Sequence, residues 1–116
     1  MNKNIHIFQT VYDLSYKSGG PSQTVFNLSK KLEKILNLKI ITNNSEGILS
    51  ITRDSDLKVI ESRVKRNIFL TIPSIDSLLR SLEIPQNTIF HDNGIWLPFN
   101  NTISKFCFRN NIPNII

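Results

Sequence analysis

The amino-acid sequence predicts an α/β protein whose core is a doubly wound, mostly parallel β-sheet. Three observations support this prediction. The run 5–11 is almost continuously apolar, as is typical of a strand covered on both faces. Segments with helical periodicity follow such runs, and a short link joins the first helix to the second strand. The length of 116 residues and the apolar fraction of 40% fit one globular domain, residues 1–116, with its own core.

The first half of the chain predicts a βαβ unit followed by a third strand. Strand 5–11 precedes a helix over 23–36, which Asn37 closes. Strand 38–42 comes next, and it should run parallel to the first through a right-handed crossover. Residues 57–60 alternate in polarity and predict a third strand. The helix should bury one apolar stripe, made of Val25, Leu28, Leu32, Ile35 and Leu36.

The second half repeats the alternation of helices and strands. Ser74 follows Pro73 and is a typical capping residue, so it predicts the start of a helix over 74–82. Three more elements follow, namely a strand at 88–91, a helix at 101–110 and the beginning of a strand at 112–116. The chain stops inside this strand, so we expect the loop that would leave it to be absent. Ligands of doubly wound sheets bind beside such loops.

The net charge favours anionic partners. The chain carries a formal charge of +5 and has a pI near 9.6. Such an excess suits phosphorylated ligands, an acidic membrane surface or nucleic acid, although a solvated helix face that keeps the protein soluble is the alternative. Nucleic acid is disfavoured because the cationic residues are not interleaved with exposed aromatic residues. The lysines on and just after the first helix are Lys30, Lys31, Lys34 and Lys39.

Cysteine usage and hydropathy favour a cytoplasmic protein. Cys107 is the single cysteine, which excludes an internal disulfide and fits a reducing compartment. Its position between Phe106 and Phe108 indicates a small buried side chain rather than a nucleophile. No run approaches the roughly twenty apolar residues of a membrane span, and the first strand follows the N-terminus directly. We therefore expect a cytoplasmic location, with peripheral contact at the inner face of the cell membrane as a further expectation.

The segment Gly19-Gly20-Pro21-Ser22 lies between the first strand and the first helix. A helix that begins there presents free N–H groups and the positive end of its dipole, which suit an anion such as phosphate. The two glycines allow the backbone to approach a ligand closely, Pro21 fits the first helical turn, and Ser22 offers a hydroxyl group. The alternative is that the segment only makes a tight turn. The positions of the four glycines exclude a Gly-x-Gly-x-x-Gly dinucleotide motif.

A second polar loop follows the strand at 88–91, with the sequence His91-Asp92-Asn93-Gly94-Ile95-Trp96-Leu97-Pro98. The two loops together resemble bacterial family 4 glycosyltransferases of the GT-B fold. Gly-Gly-Pro-Ser-Gln before an amphipathic helix is similar to the opening of that family, and the second loop is similar to its His-x-His-Gly-Leu-Trp segment. The resemblance spans residues 5–116 and includes Asn111-Ile112-Pro113 before the last strand.

The resemblance implies the Rossmann-like half of a two-domain enzyme, which moves a sugar from a nucleotide-sugar donor with retention of configuration. The implied acceptor is a glycan or a lipid-linked glycan of bacterial surface polysaccharide or lipopolysaccharide synthesis, and neither a metal nor a cofactor is implied. Two sets of residues would face the cleft. The donor-diphosphate loop would be Gly19, Gly20, Pro21 and Ser22. The acceptor side would be lined by His91, Asp92, Asn93 and Trp96, the last shaping its wall.

The sequence also departs from the family pattern. Asn93 stands where the family often has a second histidine, and an amide cannot transfer protons near neutral pH. The family's paired glutamates belong to a C-terminal nucleotide-sugar-binding domain, which is absent from residues 1–116. We therefore expect this fragment to be inactive alone. His91 is the candidate catalytic residue, and the alternative is a strand-end histidine that joins two loops.

Two other interpretations stay open. One is a stand-alone anion- or nucleotide-binding module with a flavodoxin-like sheet, and the other is an inactive truncated gene product. The Asp-x-Asp sequence at Asp54 and Asp56 binds a divalent metal in some sugar-nucleotide enzymes. Here it follows a short polar segment and predicts a surface turn, so no metal site is predicted.

Overall fold

The described residues form an alternation of five strands and three helices in a computed structural model. The structure describes residues 4–14, 20–44, 58–62, 68–94 and 98–116. The elements are β1 (His6–Asp13), α1 (Gly20–Leu32), β2 (Asn37–Asn44), β3 (Lys58–Glu61), α2 (Ile68–Ser81), β4 (Thr88–Asp92), α3 (Pro98–Arg109) and β5 (Asn114–Ile115).

The described strands form one sheet in the order β3-β2-β1-β4-β5, and all four pairings between them are parallel. This arrangement confirms the predicted α/β class and parallel sheet, and it is consistent with a Rossmann-like fold. The chain moves outward from β1 to β3 and then returns to place β4 on the other side of β1. The connections that leave β1 and β4 therefore run in opposite directions, which opens a crevice at the carboxyl ends of these two strands.

Helices cover both faces of the sheet. On the face that we call the α2–α3 face, Phe8 of β1 and Phe90 of β4 stack with ring centroids 4.9 Å apart. Ile75 of α2 and Ile103 of α3 belong to the same core and are fully buried. Cys107 of α3 is also buried, with 1% of its surface exposed, so the prediction that it is a core residue is confirmed.

The opposite face of the sheet, which we call the α1 face, is packed against α1. Val11 of β1 and Ile40 of β2 are buried there against Val25 and Phe26 of α1. Because successive side chains of a strand point to opposite faces, each strand contributes alternate residues to the two cores. The near-continuous apolar character of β1 has this cause, since both of its faces are covered.

The predicted buried stripe of α1 was partly wrong. Leu28 and Ile35 are 42% and 49% exposed, whereas Phe26 and Ser29 are buried. The helix begins at Gly20 and ends at Leu32, so Ile35 lies beyond it and Asn37 begins β2 instead of closing the helix. Packing decides the orientation, because turning Phe26 toward the sheet buries a large aromatic ring that the predicted stripe left outside.

The bounds of the later helices also differ from the predictions. Helix α2 begins at Ile68, so Pro73 and the predicted capping residue Ser74 lie inside it. Proline has no N–H group and usually interrupts a helix, which is why the sequence predicted a later start. Helix α3 begins at Pro98 rather than at 101. The predicted turn at Asp54 and Asp56 lies outside the described residues.

Candidate functional site

The candidate site lies where the carboxyl ends of β1 and β4 meet. Thr10 of β1 is the register partner of Asp92 of β4, and Gln9 is the partner of His91. The backbone N–H of Asn93 donates to the carbonyl oxygen of Thr10 at 2.9 Å, which continues the pairing beyond β4. In open parallel sheets ligands bind at this edge, at the point where the strand order reverses.

The start of α1 borders this edge on the α1 face. Gly20 is the first helical residue, and Pro21 and Ser22 belong to the first turn, as predicted for Pro21. The first turn of a helix leaves backbone N–H groups without acceptors inside the helix. Pro21 has no N–H group, so the N–H groups of this turn belong to its neighbours. No acidic side chain occupies this turn. Gly19 lies outside the described residues, and the diphosphate-binding role of Gly20, Pro21 and Ser22 stays a prediction.

His91 lies on the same face of the sheet as α1. Its neighbours in register are Gln9 of β1 and Ile115 of β5, and its side chain is half-buried. Asp92 follows it in the strand, and its side chain therefore points to the opposite face. The structure thus brings His91 and the start of α1 to one face and one edge, and it separates His91 from Asp92.

Asn93 is fixed by hydrogen bonds from its amide nitrogen. Its Nδ2 donates to Oε1 of Gln9 at 2.8 Å and lies 3.2 Å and 3.3 Å from the carbonyl oxygens of Thr10 and His91. These acceptors hold the amide group in one orientation across the two strands. Because Nδ2 is committed to protein acceptors, Asn93 can offer a ligand its Oδ1, which is a hydrogen-bond acceptor.

Asp92 is a buried carboxyl group that joins three elements. Its side chain is 2% exposed, and its Oδ1 accepts hydrogen bonds from Oγ1 of Thr10 at 2.7 Å and Nδ2 of Asn100 at 2.6 Å. Its Oδ2 is also buried and has no hydrogen-bond partner among the described residues. Burial raises the pKa of Asp92 and outweighs the two hydrogen bonds and the nearby His91, which lower it. Asp92 is therefore buried beneath the candidate site, where its carboxylate fixes the side chains of Thr10 and Asn100 instead of facing solvent.

Gly94 leaves room for the Asn100 side chain that binds Asp92. Its φ angle is +152°, and a Cβ atom there would lie 3.0 Å from Oδ1 of Asn100. Few residues other than glycine adopt this backbone conformation. A side chain at this position would displace Asn100, which holds Asp92. Trp96, predicted to form the cleft wall, lies outside the described residues.

Sequence reasoning missed three residues that position the site, namely Gln9, Thr10 and Asn100. A signal was present for the first two, since they are the polar pair within the apolar run of β1. In this doubly covered strand, polar side chains at the carboxyl end need polar partners. Nothing in the sequence pairs Thr10 with Asp92, which lies 82 residues further along the chain.

The described part of the chain contains neither a cluster of metal ligands nor a membrane-spanning helix. No group of three or more His, Cys, Asp or Glu side chains is arranged to hold a metal ion in the described ranges. None of the helices in these ranges combines the length and the apolar character that a membrane span requires. Comparison of the chain with protein-family models, with curated proteins and with solved structures found no match.

Proposed function

We propose that this chain is the acceptor-side half of a retaining glycosyltransferase, whose other half would bind a nucleotide-sugar. The reaction would transfer the sugar to a glycan or lipid-linked acceptor of bacterial surface polysaccharide. The support is the resemblance of two loops to bacterial family 4 glycosyltransferases, together with the location of their described residues. Both loops leave the two strands that flank the crevice of the sheet.

The observation that carries the proposal is that Gly20 and His91 share one face and one edge of the sheet. The start of α1 would stabilise the negative charge that develops on the leaving diphosphate, because its N–H groups and dipole are already oriented. The end of β4 would hold the acceptor on the neighbouring strand. A donor presented by the second half would thus meet the acceptor across a distance set by adjacent strands.

The side chains at the end of β4 have distinct proposed roles. Transfer breaks the bond between the anomeric carbon and the diphosphate oxygen, forms a bond to the acceptor oxygen and releases the acceptor's hydroxyl proton. The imidazole of His91 would orient this hydroxyl or accept its proton. Oδ1 of Asn93 would accept a hydrogen bond from a second hydroxyl group of the acceptor. Asp92 would act only through Thr10 and Asn100, as a positioning residue.

The direct test uses the coding frame beyond Ile116. The whole frame is expressed and assayed for sugar transfer from nucleotide-sugars to lipid-linked acceptors. We expect transfer, and we expect His91→Ala to reduce kcat/KM by about a hundredfold or more, as removal of a general base does. Lys105→Gln is the matched control, since Lys105 is exposed on α3 and should leave transfer unchanged. A frame that ends at Ile116, or a complete protein that binds no nucleotide-sugar, would contradict the proposal.

A second candidate is a stand-alone anion- or nucleotide-binding module. The observation that favours it is that α1 begins at the strand-order reversal with no acidic residue in its first turn, which by itself suits a phosphate group. This candidate predicts that the 116-residue chain binds a mononucleotide and that Gly20→Val abolishes binding. The glycosyltransferase proposal predicts only weak binding, through the phosphate groups, because the nucleoside site would lie on the other half. Isothermal titration calorimetry separates the two.

A further inference from the structure

Two lysines lie side by side at the amino end of the sheet, opposite the end that holds the candidate site. Lys39 of β2 is the register partner of Lys58 of β3, and neighbouring strands are about 4.8 Å apart. Ile41 and Ile60, the pair two residues further along these strands, both pack in the core of the α2–α3 face. Because side chains alternate along a strand, both lysines point to this same face.

The charges of these lysines are not neutralised by described side chains. Neither Lys39 nor Lys58 forms a salt bridge within the described part of the chain. Lys39 is half-buried, and its Nζ lies over the Phe8 ring, 5.9 Å from the centroid, so it is held beside Lys58 by a cation–π contact. Like charges on neighbouring strand positions are destabilising. An anion between the two ammonium groups would remove this repulsion.

A cavity of about 290 Å³ lies at this end of the sheet. Lys39 and Lys58 line it together with Lys34, which belongs to the connection between α1 and β2. We call this space the lysine cavity. Glu33 also lies in its wall and leaves a net charge of +2 among the four side chains, but its Oε2 is buried and it forms no salt bridge with a described lysine. The three ammonium groups are hydrogen-bond donors only, so they suit an anion with several acceptor oxygens.

We propose that the lysine cavity binds a phosphate group, either as the free ion or in a small soluble phosphate ester. A phosphate ester carries a charge of about −1.5 to −2 at neutral pH and several acceptor oxygens, which matches the net charge and the donors of the cavity. A monocarboxylate supplies one charge and only two oxygens. The contact with Phe8 holds Lys39 in place before a ligand arrives, which lowers the entropy lost on binding. The proposal does not require sugar transfer by this chain.

Titration of the 116-residue protein followed by nuclear magnetic resonance tests this site. Inorganic phosphate, glycerol phosphate and acetate are added separately at constant ionic strength. We expect saturable shifts of the amide signals of Lys39 and Lys58 with both phosphates, and binding of acetate at least tenfold weaker. Tighter binding of glycerol phosphate would identify an ester as the ligand, and equal affinity would identify the ion. Acetate binding as tight as that of phosphate, or the absence of saturable shifts, would overturn the proposal.

Matched charge variants locate the binding and test the repulsion. Lys39→Gln and Lys58→Gln should each weaken phosphate binding roughly tenfold or more, the factor for a lost charge-assisted hydrogen bond. Lys30→Gln is the control, because Lys30 is exposed on α1 and does not line the cavity. Without phosphate, Lys58→Gln should have a higher Tm than the wild type, because the repulsion from Lys39 is gone. A lower Tm, or equal loss of binding in the control, would overturn the proposal.

Two further variants distinguish other locations of the anion. Asp54 and Asp56 precede β3 in the sequence and are the alternative anions for these lysines. If phosphate bound only to Asp54→Asn with Asp56→Asn and not to the wild type, the chain's own carboxylates would occupy the cavity and the proposal would be wrong. Gly20→Val should keep the shifts at Lys39 and Lys58. Their loss in Gly20→Val would assign the phosphate to the start of α1 and would equally overturn the proposal.

Discussion

Removal of the Asp92 carboxyl group is the perturbation whose effect follows most directly from the structure. In Asp92→Ala, the Thr10 hydroxyl and the Asn100 amide lose their shared acceptor, and both residues are buried. Each unsatisfied buried donor costs about 1–3 kcal/mol, so the free energy of unfolding should fall by roughly 2–6 kcal/mol. Asp92→Asn keeps an oxygen at the same position and should change it by less than about 1 kcal/mol at low pH.

The pH dependence of the free energy of unfolding, compared between the wild type and Asp92→Asn, gives a second and independent readout. The pKa of Asp92 is raised in the folded state above its ordinary value of 3.8, mainly because of burial. A folded state that binds the proton more tightly than the unfolded state loses stability as the pH rises. This loss begins near the unfolded pKa and stops once the pH exceeds the folded pKa. Asp92→Asn cannot ionise, so its stability relative to the wild type should rise across that window and then level off.

Urea denaturation followed by circular dichroism measures both effects, with a series of buffers from pH 3 to pH 8. Asp76→Asn is the control, because Asp76 is only partly buried and forms an i,i+4 salt bridge of 3.0 Å with Arg80. Such a pair contributes about 0.3–0.5 kcal/mol. Our assignment of Asp92 would be refuted if Asp92→Ala cost no more than Asp92→Asn. It would also be refuted if the stability of Asp92→Asn relative to wild type fell with rising pH.

Three further substitutions or probes test the packing around the site. Gly94→Ala should lower the free energy of unfolding by about 1–3 kcal/mol, because alanine is strained at this φ angle and its Cβ would displace Asn100. An unchanged urea midpoint would contradict this expectation. Cys107 should react with a thiol reagent only after unfolding, since burial raises its pKa to about 12, and fast labelling of the native protein would count against its burial. Phe90→Ala should lower the free energy of unfolding by about 3–5 kcal/mol, because the buried ring and its stack with Phe8 are lost. A decrease below about 1 kcal/mol would be inconsistent with a filled core.

The sequence was sufficient to predict the fold class and the order of the elements. Apolar runs and helical periodicity identified β1, α1, β2, β3, β4 and α3 within a few residues of their bounds. The orientation of α1 was not predictable from periodicity, because Leu28 and Phe26 offered two overlapping apolar faces. Only packing against β1 and β2 selects the face that contains Phe26. The start of α2 was missed because Pro73 usually ends or precedes a helix.

The sequence predicted which edge of the sheet holds the candidate site. It did not predict the hydrogen bonds that join the residues of the site. The polar residues after β4 and the glycines before α1 marked the two loops, and parallel pairing of β1 and β4 brings their ends together. The hydrogen bonds of Asp92 depend on which strands are neighbours and which face each residue occupies. The sequence shows neither, since Thr10 lies 82 residues from Asp92. The sequence therefore listed Asp92 with His91, whereas the structure places their side chains on opposite faces.

Nuclear magnetic resonance with inorganic pyrophosphate tests the location of the site most directly. The probe supplies the diphosphate group without a sugar or a base, and weak binding is sufficient to move amide signals. We predict shifts at Gly20 and Ser22 of α1, at His91 of β4 and at Asn93 just after it. The signals of Lys105 of α3 and of Asn110, which follows α3, should stay unchanged. Shifts confined to Lys39 and Lys58, or the absence of any shift at the start of α1, would contradict the assignment of the diphosphate site to this edge.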